Sequence, residues 1–557
     1  MTRWRVAASA PAARLGLVVG LVIVAASPGV ARAERRATLF YTGAVQGAVE
    51  PCGCTSDPLG DISRMTGLVR RAGNAADVLV IDAGNLSYPP GALAAQRRAG
   101  AELRAAFLAR ELQRLPFGGS ALGESDLAAG ADRVTPRRLA ANVSGAAFVE
   151  PSKVRTVGGV RIGLFGLADP AVVRASGLRA EDPVAVAQRE GERLRAAGAE
   201  VIIAVAALDR SQARQIARVG VVDFVVVGKD LGDDGLERPD AVGSTFLLAP
   251  AQDLQRVGRL DIVLRDEGPP GGRPRLVDAG GPEARKRERD ELARGIARRD
   301  EELARWRREG TADQAFVAAR GQERAELAAR LERLPAGAWQ PPAAGSYFTS
   351  RLIALRRALP RDPALAAAMR KLDKVVGEAN LRAAAPPPKA PPERASFVGD
   401  RTCGGCHKRE MAFWKTTVHA HAWKTLVDGG KTGHDDCVSC HVTGYGEIGG
   451  SSLGYVTGLT SVQCETCHGP GSLHVKAEGL EEPPAIRRAT PEATCTRCHN
   501  EKHSDTFNYV AYLRDILGAG HGEEARKKLG PGATGRQLRS TAMAKAKAAG
   551  AAQVGDL

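Results

Sequence analysis

Histidine is absent from the first 406 residues of this 557-residue chain. Methionine occurs five times in all, and aromatic residues make up only 4%. Each scarcity excludes something. Metal chemistry that needs imidazole cannot be built in the first 406 residues. Cores must be filled by aliphatic side chains, for which an apolar content of 44% suffices. A chain of this length suits two or three domains. Acidic residues are missing from the first 33 positions, and after Ala26 no apolar run approaches the roughly 20 residues of a spanning helix.

What the first 33 residues do contain reads as a secretory signal. Arg3, Arg5 and Arg14 charge its front, LGLVVGLVIVAA (Leu15 to Ala26) is the apolar run, and Ala31-Arg32-Ala33 fits a small-x-small cleavage site. Cleavage is expected after Ala33. The apolar run is too short for a membrane anchor, and no Cys follows it to carry a lipid. The mature protein is therefore expected to be periplasmic or otherwise exported, with no transmembrane anchor.

The formal net charge is +15, and the signal holds four Arg without an acid, which leaves +11. Such a balance can mark nucleic-acid or membrane binding. The basic residues are spread along the chain, so solvated faces are the expected reading and no nucleic-acid partner is expected.

The ten cysteines would suggest disulfides in an exported protein. Eight of them fall instead in four identical frames: CGGCH (Cys403, Cys406, His407), CVSCH (Cys437, Cys440, His441), CETCH (Cys464, Cys467, His468) and CTRCH (Cys495, Cys498, His499). This is the c-type haem attachment motif. Two thiols three residues apart can add to the two vinyl groups of one porphyrin, and the next His reaches the iron from the proximal side. A lone motif could be half of a zinc site; four, each with its His adjacent, point to four c-type haems. All ten histidines lie between His407 and His521, and from His407 onward the only methionines are Met411 and Met543. Bis-His ligation is thus the expectation for most irons, since neutral imidazole suits iron. Two propionates per haem would add about −8 at neutral pH, which further weakens the nucleic-acid reading.

The stretches CGGCHKREMAFWKTTVHAHAW, CVSCHVTGYGEIGG and LTSVQCETCHGPG resemble the tetrahaem cytochrome c554 family, over Phe397 to about Gly522. The resemblance implies periplasmic electron transfer, often in nitrogen metabolism, with haems stacked in close pairs. It implies His419 as a distal ligand, with His474, His503 and His521 as further distal candidates. His421 ranks below His419, and His434 is either a spare ligand or a plain surface residue. The family's second-motif haem lacks a distal protein ligand, which makes the iron at His441 the one expected to be open.

Between Glu34 and Arg275, buried apolar runs (VLVIDAG, VRIGLFGLA, EVIIAVAAL, VDFVVVG, STFLLAP) alternate with helical stretches. That pattern reads as an α/β layered domain. YTGAVQGAVEP, GDISRMTGLVRR, VIDAGN, GESDLAAG, AALD, VVVGKD and QRVGRLDIVL, in this order, resemble the motifs of calcineurin-like phosphoesterases of the secreted 5'-nucleotidase branch. Such enzymes use two metal ions to activate water and hold phosphoryl oxygens. Position by position, the implied ligands are missing: Ala44 and Gln46 stand for the first Asp and His, Asn85 for the bridging Asp, Glu124-Ser125 for an Asn-His pair, and Ala207 and Lys229 for later histidines. The domain is expected to be a scaffold without phosphatase activity. Cys52 and Cys54, in EPCGC over the former site, could form a redox pair, a soft-metal pair, a strained disulfide or an inert pair.

The expected organisation is a signal at 1–33, an α/β metallophosphoesterase-like sandwich at 34–275 and a helical spacer at 276–382. A stiff proline-rich linker (AAAPPPKAPPERA) follows at 383–395, then a mostly α, loop-rich multihaem domain at 396–522 and a basic disordered tail at 523–557. Within the spacer, Leu292, Ile296, Leu303 and Trp306 share one helical face, and a second helical stretch is expected from Tyr347 to Leu381 with a break at Pro360. Three functions fit. The first is electron transfer between periplasmic redox partners. The second is a haem enzyme acting on a small nitrogen or sulfur species at an open iron. The third is a partner- or ligand-binding module coupled to the haems.

Overall fold

RRATLFYT forms β1 (Arg35–Thr42). Successive side chains of a strand point to opposite faces, so Leu39 and Tyr41 enter a core between two sheets while Phe40 turns outward toward helices. The computed structural model describes residues 34–265 except Cys52, then 273–309, 313–334, 339–480 and 485–555. The expected signal and Cys52 lie outside the described residues.

After β1 come β2 (Val78–Asp82), β3 (Phe117–Ser120), β4 (Ser152–Val157), β5 (Val160–Ala168), β6 (Val201–Ala207) and β7 (Phe224–Val227). They are followed by β8 (Asp240–Val242), β9 (Thr245–Leu248), β10 (Arg256–Leu264), β11 (Val277–Asp278) and β12 (Tyr347–Ala354). One six-stranded sheet runs β11-β12-β10-β1-β2-β3, and the other runs β8-β9-β7-β6-β5-β4. Leu39, Ile81, Leu164, Ile203, Phe224 and Phe348 fill the space between them. The outer face of the first sheet is covered by α1 (Ile62–Arg71), α2 (Ala95–Gln113) and α7 (Pro363–Ala383), through Met65, Leu108 and Met369. The outer face of the second is covered by α3 (Pro183–Ala196) and α4 (Arg210–Arg218), through Val186, Leu194 and Ile216. The result is a helix–sheet–sheet–helix sandwich, in which the central parallel strands are apolar on both faces. Caps fix the helix starts: Asp209 and Gln212 form a capping box on α4, and Asp362 caps α7 ahead of Pro363.

The spacer is not wholly helical. β12 pairs antiparallel with β10, Tyr347 opposite Val263 and Ala354 opposite Arg256, so residues 347–354 belong to the first sheet. The helix begins only at Pro363, beyond the expected break. Between β11 and β12, α5 (Pro282–Glu309) and α6 (Gln314–Arg333) make a hairpin. Leu292 and Leu303 are buried in it, Trp306 meets Phe316 at 5.1 Å, and Arg299–Glu323 (3.1 Å) and Arg324–Asp300 (2.9 Å) cross it.

The proline-rich stretch runs along the loop after the second CxxCH motif. Gly449 N donates to Pro388 O (2.8 Å) and Ser452 Oγ to Ala385 O (2.6 Å). The tail is a correction as well: Gly535–Gly555 is a helix, not disordered. Its Ala, Lys, Arg and Gln are strong helix formers, and it docks through Gln553 Nε2 on Ala354 O (2.8 Å) and Arg539 Nη1 on Cys54 O (2.7 Å).

The cysteine-rich region is seated on the sandwich. Asp373 of α7 meets Lys431 (2.7 Å) and His434 (3.1 Å), and Arg97 of α2 bonds Asp436 (3.1 Å). The backbones come very close there: a Cβ on Gly433 would lie 2.5 Å from the Gly377 carbonyl oxygen, so glycine is required. A second seam joins Ser56 N to Asp505 (2.9 Å) and Lys502 to Asp253 (3.6 Å).

Candidate redox centre

Each CxxCH frame falls on or beside a short helix: Asp400–Cys406, Asp435–His441, Cys464–His468 and Glu492–Thr496. Residues three apart on a helix share a face, which is how one turn presents both thiols of a frame side by side. The frames also meet one another. Cys403 stands close enough to Cys464, and Cys440 to Cys498, for each thiol to act on the other, so the first frame adjoins the third and the second adjoins the fourth. The contact with Cys498 pushes the Cys440 thiol down to about 6, against the effect of burial, with smaller help from Ser439, His503 and His441.

The histidines form pairs across the region. His407 faces His474 with ring centroids 6.3 Å apart. His468 and His521 are 6.1 Å apart, as are His419 and His499. A metal between two imidazoles, with bonds of about 2 Å, puts the centroids about 6 Å apart, because each centroid sits about 1 Å behind its nitrogen given ring bonds of ordinary length. All three separations meet that requirement. The remote nitrogens are also held as metal-ligating imidazoles require. Nδ1 of His468 lies 2.8 Å from Arg487 O, Nδ1 of His521 2.8 Å from Ile516 O, and Nδ1 of His499 3.1 Å from Ser504 Oγ. Burial first, then the neighbouring His499 and His441, pushes His419 down to about 4, which keeps it neutral, the ligating form. The residues present therefore fit haem.

His441 differs. Its Nδ1 is fixed by Ala422 O at 2.6 Å, with Thr425 Oγ1 at 3.2 Å, but among the described residues no second imidazole ring faces it at the paired spacing. His503 stands close enough to Cys440 for its charge to act on that thiol, and His421 is exposed. His434 is not a surface residue: it is 5% exposed, between Asp373 (3.1 Å) and Arg104 (3.4 Å) at the seam with the sandwich. No spacing in the sequence signals that role, because both partners are more than 60 residues distant.

In the sandwich, the loops after β1 and β2 keep unusual backbones. Ala44, Gln46 and Asn85 have φ of 47°, 55° and 57°, a left-handed region that costs non-glycine residues energy and often marks functional loops. Their side chains are otherwise engaged or absent. Asn85 Nδ2 donates to Gly228 O (2.9 Å) and its Oδ1 accepts from Ser125 N (3.0 Å). Lys229 pairs with Asp169 at 2.7 Å. Ala207 leaves so little space that a Cβ on Gly84 would lie 2.8 Å from its own Cβ. Beneath, burial pushes Asp82 up to about 6 despite its bonds from Ser120, Thr42 and Gly84. The fully buried Asp126–Arg138 pair (3.0 Å) ties the Asn85 loop to the Glu124 loop. Cys54 sits on the loop under the tail helix.

Paired frames and paired imidazoles are side chains fit to hold c-type haem. The comparisons agree for the C-terminal part: residues 402–469 match the family model for cytochrome c554 and c-prime. Cytochrome c-554 of Nitrosomonas europaea is 40% identical over 93 residues, covering 14% of this chain and 40% of the relative. The chain thus spans less than half the length of the curated relative it matches. The matched residues hold the first three CxxCH frames, Cys403 to His468, and stop before the fourth. Among the described residues no helix is long and apolar enough to cross a membrane. Among solved structures, a 5'-nucleotidase precursor of Thermus thermophilus is 17% identical, with a TM-score of 0.41 over 71% of this chain and 68% of its own. The NAD nucleotidase of Haemophilus influenzae is 18% identical, with a TM-score of 0.35 over 42% of this chain and 48% of its own.

Proposed function

We propose that this protein is an exported electron carrier with four covalently attached haems, built onto a phosphoesterase-like sandwich that has lost its chemistry. The observation that carries the reading is the set of three imidazole pairs at iron-bridging distance, each joining a motif histidine to one outside the motifs. Cys403 and Cys406 would hold one haem between His407 and His474. Cys464 and Cys467 would hold another between His468 and His521, and Cys495 and Cys498 a third between His499 and His419. Cys437, Cys440 and His441 would hold the fourth. The haem would supply one-electron exchange; backbone carbonyls accept from Nδ1 of His441, His468 and His521, which leaves their Nε2 for the iron. Electrons would pass between periplasmic redox proteins. Mass spectrometry of the mature protein from cells competent in cytochrome maturation should show cleavage after Ala33 and the added mass of four haems. Two or fewer haems would sink the reading.

The loss of phosphoesterase chemistry follows from the residues at the former site: Ala44, Gln46, Asn85, Ser125, Ala207 and Lys229 supply no imidazole or carboxylate where a metal pair needs them. With manganese, zinc or calcium added, the full-length protein should not hydrolyse nucleotides or a generic phosphate ester. Metal-dependent turnover that disappears on changing Glu124 or Asn85 would overturn this. A second reading, ligand chemistry on a small nitrogen or sulfur species, is favoured by one observation, the lack of a paired imidazole opposite His441.

A further inference from the structure

The last helix, Gly535–Gly555, lies across the seam between the fourth-motif segment and the sandwich, and it is held there lightly. Of its 21 residues only Gly535 and Gly550 are buried. A Cβ on Gly535 would lie 2.4 Å from Tyr512 Cδ2, and one on Gly550 would lie 2.9 Å from Ala358 Cβ. The helix thus meets the cysteine-rich region at its start and the sandwich near its end, both times through a residue with no side chain. Two hydrogen bonds tie it to the sandwich: Arg539 Nη1 donates to Cys54 O (2.7 Å) and Gln553 Nε2 to Ala354 O (2.8 Å). Met543 and Val554 are 46% and 44% exposed. A segment with so few buried apolar contacts opens far more easily than the core beneath it.

The turn that leads into the helix is built as a hinge with a catch. Gly530 and Gly532, at φ 63° and 153°, flank Pro531. The Arg514 guanidinium holds this turn by four carbonyls, those of Leu529 (3.0 Å), Gly530 (3.4 Å), Pro531 (3.2 Å) and Ala533 (3.1 Å). Beside it, Asp515 Oδ2 accepts from Arg536 N (2.8 Å). The helix also carries its own capping box: Gln537 N donates to Thr534 Oγ1 (3.3 Å) and Thr534 N to Gln537 Oε1 (2.9 Å). A capped helix of this length, rich in Ala, Lys and Gln, keeps much of its form away from the body. It can therefore swing as a unit about 530–532.

We propose that the C-terminal helix is a hinged strap that controls access to the Cys54 loop. Closed, it fixes that loop and the Tyr512 ring together. Open, it releases both, while the Arg514 catch keeps it beside them. Tyr512 Oη is 3.3 Å from Ser504 Oγ, which is 3.1 Å from His499 Nδ1, so the strap joins a loop of the sandwich to the surroundings of the fourth motif.

The test uses the full-length holoprotein in a Cys52→Ser background. Labelling of Cys54 by a maleimide is followed by peptide mass spectrometry, with backbone hydrogen exchange in parallel. In the otherwise unmodified protein, tail-helix amides should exchange at least about a hundredfold faster than those of β1. Arg539→Ala combined with Gln553→Ala, and separately removal of all residues after Gly530, should each speed Cys54 labelling by about tenfold. Each should also hasten exchange in Tyr509–Ile516 and leave β1 unchanged. Tail amides that exchange as slowly as β1, or Cys54 labelling unmoved in the double variant, overturns the proposal. If the shortened chain also loosens β1, the double variant decides alone, since it keeps both helix and hinge. These readouts are local and independent of haem count, so their failure leaves the four-haem reading standing.

Discussion

Changing His419, His474 or His521 to alanine, one at a time, should turn one low-spin iron per molecule high-spin and create one new site for carbon monoxide. Each of these imidazoles stands about 6 Å from a motif histidine, at 6.1, 6.3 and 6.1 Å. That separation leaves room for an iron and little else. Removing one ring leaves the other, still tethered beside its CxxC thiols, so covalent attachment should persist while the distal coordination is lost. An alanine cannot reach the iron, and few substitutes are at hand, because the only methionines in this part of the chain are Met411 and Met543. Haem content should therefore stay at four while the high-spin absorption and EPR signals each grow by one iron's worth. A His474→Ala protein whose spectrum matches the unmodified one would break the His407–His474 pairing, and the same holds for the other two. The expected loss of the strong axial field is the largest single-residue effect in this molecule, since it changes spin state, potential and ligand access together.

These pairs also show what the sequence can and cannot reveal. The CxxCH frames are legible because their chemistry is local: two thiols one helical turn apart and the next residue. Which histidine faces which motif is not local. His419 and His499 are 80 positions apart and meet only because the second and fourth frames pack together. Buried runs such as VRIGLFGLA read directly as strands, since all but Arg161 are buried, with a core on each face. YFTSRLIA does not, for it runs on into a stretch rich in Arg, Leu and Ala, and its strand form depends on pairing with β10. The tail misled for the opposite reason. Its charge suggested a solvated segment, yet its helix is held by Arg539 and Gln553 on loops of the sandwich. His434 was ambiguous because its partners, Asp373 and Arg104, lie on elements far away in the sequence.

The haem held by His441 should bind one carbon monoxide, or one nitric oxide, per molecule in the unmodified reduced protein. The geometry behind this is a one-sided imidazole. Nδ1 of His441 is fixed by the Ala422 carbonyl and Thr425, which leaves Nε2 for the iron, while among the described residues no second ring stands opposite at the spacing the other three pairs share. Three histidines could in principle move to close the site. His434 is poorly suited: it is buried, paired with Asp373 at 3.1 Å, and braced by Arg104, and withdrawing it would break both seam contacts and leave Asp373 with Lys431 alone. His421 is exposed, so it would have to leave solvent and reorient. His503, near Cys440, is the closest competitor on the page. The unmodified protein and its His421→Ala, His434→Ala and His503→Ala variants should therefore all show one high-spin iron and the same carbon monoxide stoichiometry, with His434→Ala less stable to denaturant. If instead the unmodified protein has no high-spin iron and binds no ligand, while one variant gains both, that histidine is the cap. All four irons would then be six-coordinate, and electron transfer alone would remain.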